Sequence, residues 1–168
     1  MRLVLGLCAA LLLGGAAHAA EQFSNHELGF AATFAGPPEF EVQEIETNAG
    51  PVASVTVSGP GSEDYYAVAV TDFGEALDGI DPQTVLTNAV EGALANVKAT
   101  KVSETRTTVD GHPAREVVAT ATSNEATMRI RSLVALKGGR LFQAMVVDGG
   151  APNEAEAVAF LRSFHILP

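Results

Sequence analysis

At Asp81 the hydrophobic period of this chain changes. Before it, apolar residues alternate with polar ones in short runs. After it, Val85, Leu86, Ala89, Val90, Ala93, Leu94 and Val97 recur at steps of three and four. A period of two belongs to a half-buried strand, and a period near 3.6 to an amphipathic helix. Asp81 is a good N-cap, and Pro82 suits the first helical position, where its missing N–H costs nothing. Lys98 and Lys101 follow the stripe, where positive charge complements the helix dipole. The pattern predicts one long helix with an apolar stripe wide enough to cover a sheet face.

The segments on either side read as strands. Residues 27–34 place Leu28, Phe30 and Ala32 on one face, and Gly36-Pro37-Pro38 then breaks the run. Residues 39–47 alternate Phe40 and Val42 with Glu39, Glu41 and Gln43, with Ile45 out of register. Turns at 48–51 and 59–62 precede strands at 52–58 and 65–71. After the helix come strands at 102–109, 114–122, 127–136 and 141–147. The turn Asp110-Gly111-His112-Pro113, with proline stopping the pairing, and the hairpin Lys137-Gly138-Gly139-Arg140 join them. Pro152-Asn153 opens a short helix that turns Ala157, Val158, Leu161 and Phe164 inward. The order ββββ-α-ββββ-α predicts an α+β fold, an antiparallel β-sheet of about seven to eight strands packed by one long and one short helix.

Residues 1–19 read as a cleaved signal peptide and 20–168 as a single domain. Arg2 opens a short cationic start, an apolar run spans 3–13, and Ala17-His18-Ala19 is an A-x-A cleavage site. The run falls short of the roughly 20 residues a spanning helix needs. The expected location is periplasmic or extracellular, with no stable membrane anchor after cleavage. The lone cysteine, Cys8, lies inside that run, so the mature chain is expected to hold neither a disulfide nor a Cys-ligated zinc.

Ten basic residues face twenty acidic ones, a formal net charge of −10. A chain this acidic is a poor partner for nucleic acid, whose phosphates need a clustered basic surface. The charges are segregated: 20–97 holds 13 acidic and no basic side chains, whereas 98–168 holds 9 basic and 7 acidic. Such asymmetry suggests faces that complement one another, within the molecule or between copies.

Several motifs together resemble the PsbP-like superfamily. They are Leu28-Gly29-Phe30-Ala31-Ala32-Thr33-Phe34 before the Gly-Pro-Pro break, Tyr65-Tyr66-Ala67-Val68-Ala69-Val70, and Asp81-Pro82 opening the helix. Asp110-Gly111-His112-Pro113-Ala114-Arg115-Glu116 and Phe160-Leu161-Arg162-Ser163-Phe164 complete the set. In bacterial relatives the turn usually reads Gly-x-Pro-Gly-x-Glu, and Ala114 here replaces the second glycine. The resemblance implies a helix–sheet–helix sandwich. It implies no single chemistry, because members of that superfamily do unrelated things.

The catalytic inventory is sparse. The chain has no H-E-x-x-H, no Gly-x-Ser-x-Gly elbow and no Walker phosphate loop. We therefore expect no enzyme and no cofactor. His112 with Asp110 and Glu116 is the sharpest constellation, either a base or metal ligand oriented by a carboxylate or an ordinary hairpin turn. Asp72, Glu75 and Asp78 crowd the loop before Asp81, as a weak cation site or a solvated loop. Tyr65 and Tyr66 belong to opposite sheet faces and could offer an aromatic contact. Arg129 and Arg131 share one strand face and could receive the acidic strands of this or another copy, or an anionic ligand. The expected function is that of an exported, non-catalytic binding or assembly-assisting protein of the cell envelope, its partner a protein or a second copy. The alternative is a small-ligand or cation binder using a pocket between the sheet and the long helix.

Overall fold

The computed structural model describes residues 21–47, 50–59, 64–123, 126–149 and 153–168. The expected leader with Cys8, the turn residues 48–49 and 60–62, and Pro152 lie outside the described residues. Strands β1 (Glu21–Asn25), β2 (Phe30–Phe34), β3 (Glu39–Thr47), β4 (Gly50–Gly59) and β5 (Asp64–Asp72) precede helix α1 (Pro82–Asn96). Strands β6 (Thr100–Val109), β7 (His112–Ser123), β8 (Ala126–Lys137) and β9 (Arg140–Asp148) follow it, and helix α2 (Glu154–Ser163) and β10 (His165–Ile166) come last. Seven strands form one antiparallel sheet in the order β3-β4-β5-β9-β8-β7-β6, and β1-β2-β10 form a second, three-stranded one.

The fold is α+β, with more strands than alternation alone reveals. β1 and β10, of 5 and 2 residues, are too short to show a period. The strand expected from 27 begins only at Phe30. The Asn25 side chain accepts the Leu28 N–H at 2.9 Å, and Gly29 takes a φ of 77°, which makes a turn of residues 26–29. Pro113 was expected to stop pairing. It instead stands in the β6–β7 ladder opposite Thr108, and the hairpin turns at Asp110 and Gly111.

Alternation sends the two sets of side chains of the large sheet to different covers. On one side Tyr66, Val68 and Val70 of β5 and Phe142, Ala144 and Val146 of β9 pack under Phe30 and Phe34 of β2 and Phe160 and Phe164 near α2. The Phe160 ring sits 5.4 Å from Phe34 and 5.3 Å from Tyr66. Phe160 thus takes the centre of the inward stripe, while Val158 and Leu161, expected there, are only half-buried.

The other side carries α1. Asp81 caps it by accepting the Thr84 N–H at 2.9 Å. Val85, Leu86 and Val90 pack on Val117 of β7 and Val134 and Leu136 of β8. The apolar stripe runs on to Val97, yet Ala89, Ala93 and Leu94 are half-buried and Val97 is 55% exposed. The helix seats on β7 and β8, so its C-terminal half passes over the sheet without closing on it. The seated half is pinned by Arg115, which donates to Glu104 Oε1 at 2.9 Å and to Thr87 Oγ1 at 3.1 Å.

Candidate functional site

The His112 constellation does not assemble. Asp110 turns instead to the C-terminus, where its Oδ1 lies 3.2 Å from His165 Nδ1 and its Oδ2 accepts the Ile166 N–H at 2.8 Å. β10 docks beside β2, which brings His165, 55 positions away in the chain, to Asp110. The acidic loop is also divided. Asp72 accepts from Arg140 Nη2 at 2.8 Å and from the Gly74 N–H at 2.9 Å, and Glu75 lies in a short 3₁₀ turn, Gly74–Leu77. Asp78 follows as that turn's C-cap. Among the described residues no group of three or more His, Cys, Asp and Glu is placed to hold a metal ion.

Tyr65 and Tyr66 do occupy opposite faces. Tyr66 is buried in the α2-side core, and Tyr65, across from Val147, is 44% exposed on the α1 side. Arg129 and Arg131 share the α2 side, opposite Asp148 and Val146. Arg131 is buried, and its Nη2 lies 2.9 Å from Glu154 Oε1 in the first turn of α2. The acid it meets therefore comes from the second half of the chain, not from the acidic first half.

Around Arg131 the structure gathers a charge cluster that alternation could not announce. Asp148 is 2% exposed, and neither of its carboxylate oxygens has a hydrogen-bond partner among the described residues. It stands directly across the β5–β9 ladder from Asp64, whose Oδ1 is likewise buried and unpartnered. Burial foremost, and then the Asp64 charge, push the Asp148 carboxyl above its ordinary range, against the pull of Arg131 and Arg129. Burial and the neighbouring Asp64 push the Tyr66 hydroxyl up to about 12. Glu154 goes the other way, held low by Arg131. Asp148, Tyr66 and Arg131 thus form the polar floor beneath the start of α2. A groove of about 450 Å³ opens beside it, lined by charges of both signs from Arg131, Arg162, Glu116 and Asp110.

The exposed side of the molecule that differs most from an ordinary solvated strand is β3. Among the described residues it is an edge strand, paired only to β4. Every residue from Glu39 to Glu46 is exposed, including Phe40 at 55%, Val42 at 69% and Ile45 at 42%. Glu39, Glu41, Glu44 and Glu46 stand between them. The opposite edge, β6, carries Lys101 and Arg106, and Lys101 pairs with Glu104 at 2.6 Å. Among the described residues only the Asp72–Arg140 ion pair joins the acidic first half to the basic second. The acidic first half is therefore left largely unpaired by the basic second half, and four of its glutamates stand together on β3.

A three-layer α+β arrangement, with an antiparallel sheet between α1 and α2, defines the class. Within it this chain has a PsbP-like fold. It superposes on the solution structure of cyanobacterial PsbP (CyanoP) from Synechocystis sp. PCC 6803 with a TM-score of 0.60, at 12% identity, over 96% of this chain and 98% of that one. A protein of unknown function from Pseudomonas aeruginosa, described as a putative regulator, matches 85% of this chain and 92% of its own at 7% identity, with a TM-score of 0.49. No family model and no curated protein matches the sequence. Identities this low show a shared fold and nothing about activity. No helix among the described residues is long and apolar enough to cross a membrane.

Proposed function

We propose that this protein is exported and serves, without catalysis, as a binding or assembly-assisting protein of the cell envelope, engaging a protein partner along β3. The supporting observation is that strand itself: an outer edge unpaired among the described residues, exposing Val42, Ile45 and part of Phe40 among four glutamates. A free edge offers backbone donors and acceptors to an added strand, and alternate side chains give the selectivity. The four like charges repel a second β3, so the edge rejects its own copy in that pairing and favours a basic, extended segment carrying an apolar side chain. Export rests on residues 1–19, and N-terminal sequencing of the secreted protein is expected to begin at Ala20.

A photo-crosslinker in place of Val42, activated in envelope extracts of the native host, is expected to give one discrete adduct. The pair of changes Glu41→Lys and Glu44→Lys is expected to abolish it. An adduct of twice the chain mass identifies the partner as a second copy, presenting β6 with Lys101 and Arg106. No adduct, or one indifferent to the charge reversal, overturns the proposal.

A further inference from the structure

We propose that the cleft between the C-terminal half of α1 and the seven-stranded sheet binds an uncharged small amphiphile, an apolar chain or ring carrying one amide or hydroxyl head. Beyond Val90 the helix no longer seals the sheet. The space left is about 380 Å³, within the roughly 300–1,000 Å³ that small-molecule sites occupy. Its roof is Leu94 and Val97, and its floor is Ile130, Met145 and Val147, all half-buried except for the more exposed Val97. These apolar surfaces face each other across a gap that neither side chain set closes, and covering them is favourable.

The charge of the occupant follows from the lining. Among the described residues no charged side chain lines the cleft. A carboxylate or ammonium drawn in would lose its water without gaining a counter-charge, a heavy desolvation cost. The polar side chains that line it are neutral: the exposed Gln43 and Asn96 and, on the floor, Ser132 and Gln143. The Gln143 amide donates to Ser132 Oγ at 3.3 Å, which leaves the Ser132 hydroxyl proton and the Gln143 carbonyl to meet one neutral polar head. Tyr65, opposite Val147 on the same face, stands at the rim where an aromatic ring can cover the outer end. Phe40 and Val42 of β3 belong to the other face of the sheet, opposite Val57 and Val55, whereas Gln43 of the same strand lines the cleft; Val97 and Val147 lie off β3, so changes there test this site without touching the partner edge.

Titration of the purified protein with the neutral fluorophore N-phenyl-1-naphthylamine is expected to give a saturable, one-to-one rise in emission. Dodecanamide should displace the probe at a concentration about tenfold lower than dodecanoate, a difference of roughly 1.4 kcal/mol. Val147→Arg should weaken probe binding about tenfold or more, because it places a charge in the apolar floor. Val97→Glu, at a surface position where folding is safe, should weaken it severalfold, with circular dichroism reporting an intact fold for both variants. Non-saturable emission, equal binding by Val97→Glu, displacement by dodecanoate as good as by the amide, or a dimer in light scattering that excludes the probe would each overturn the proposal.

Discussion

Single residues divide here into those whose surroundings satisfy them and those whose surroundings do not. Arg115 is buried and both its Nη atoms are served, with Glu104, Thr87 and the Gln83 carbonyl as acceptors, while its Nε has no partner among the described residues. Asp148 is buried and unserved, since both oxygens lack donors and Asp64 stands opposite. A carboxyl whose folded pKa is raised holds its proton in the native state at pH values where the unfolded chain, near about 3.9, has already released it. Its favourable contribution is therefore present at low pH and is lost as pH rises through the folded value, which leaves a penalty at neutrality. Asp148→Asn removes the buried charge. Urea unfolding at pH 7 is expected to show the variant more stable, because its neutral amide can donate to Asp64 across the ladder, a hydrogen bond to a charged group being worth about 1.5–3 kcal/mol. Near pH 4 the two proteins should converge, and a variant less stable at pH 7 would show that Arg129 and Arg131 already compensate the charge.

At the scale of elements, β3 and α1 show opposite relations between pattern and burial. The period of α1 announced a helix, and its capping by Asp81 gave its start, but packing on β7 and β8 alone decided how much of its stripe is sealed. β3 alternates as a half-buried strand would, yet it stays exposed at the sheet's edge, and the Phe23 ring, 5.6 Å from Phe40, covers only one end of it. Exposed edges of this length invite pairing with other chains, and charge is the common defence. Replacing Glu39, Glu41, Glu44 and Glu46 together by glutamine keeps the strand's shape and removes its repulsion. Light scattering at neutral pH is expected to show concentration-dependent aggregation of that variant under conditions where the parent stays dispersed. An unchanged scattering profile would mean that twist alone protects the edge.

For the whole molecule, the titrations act in opposite directions. Glu104 is held low by its hydrogen bond from Lys101 and by the Arg115 charge, and Asp72 by Arg140 and the Gly74 N–H. Lowered carboxyls contribute stability above their unfolded pKa, and this is lost as pH falls through the folded one. Asp72 contributes the less of the two, since its pair with Arg140 is largely in water. Acidification from neutrality should first raise the melting temperature as Asp148 takes its proton, then lower it below about pH 4. The maximum thus falls in mildly acidic solution, and in Asp148→Asn the rise on its alkaline side should disappear. The amino-acid order by itself determined the two helices, the Asp81 cap, the β6–β7 and β8–β9 hairpins, the α+β class and the opposite placement of Tyr65 and Tyr66. Each of these follows from interactions a few residues apart, where period and turn chemistry act directly. Only the tertiary structure decided the second sheet, the choice of His165 over His112 by Asp110, the burial of Asp148 and the open end of α1. Alternation states which side chains share a face, but what covers that face is set by contacts between segments far apart in the chain.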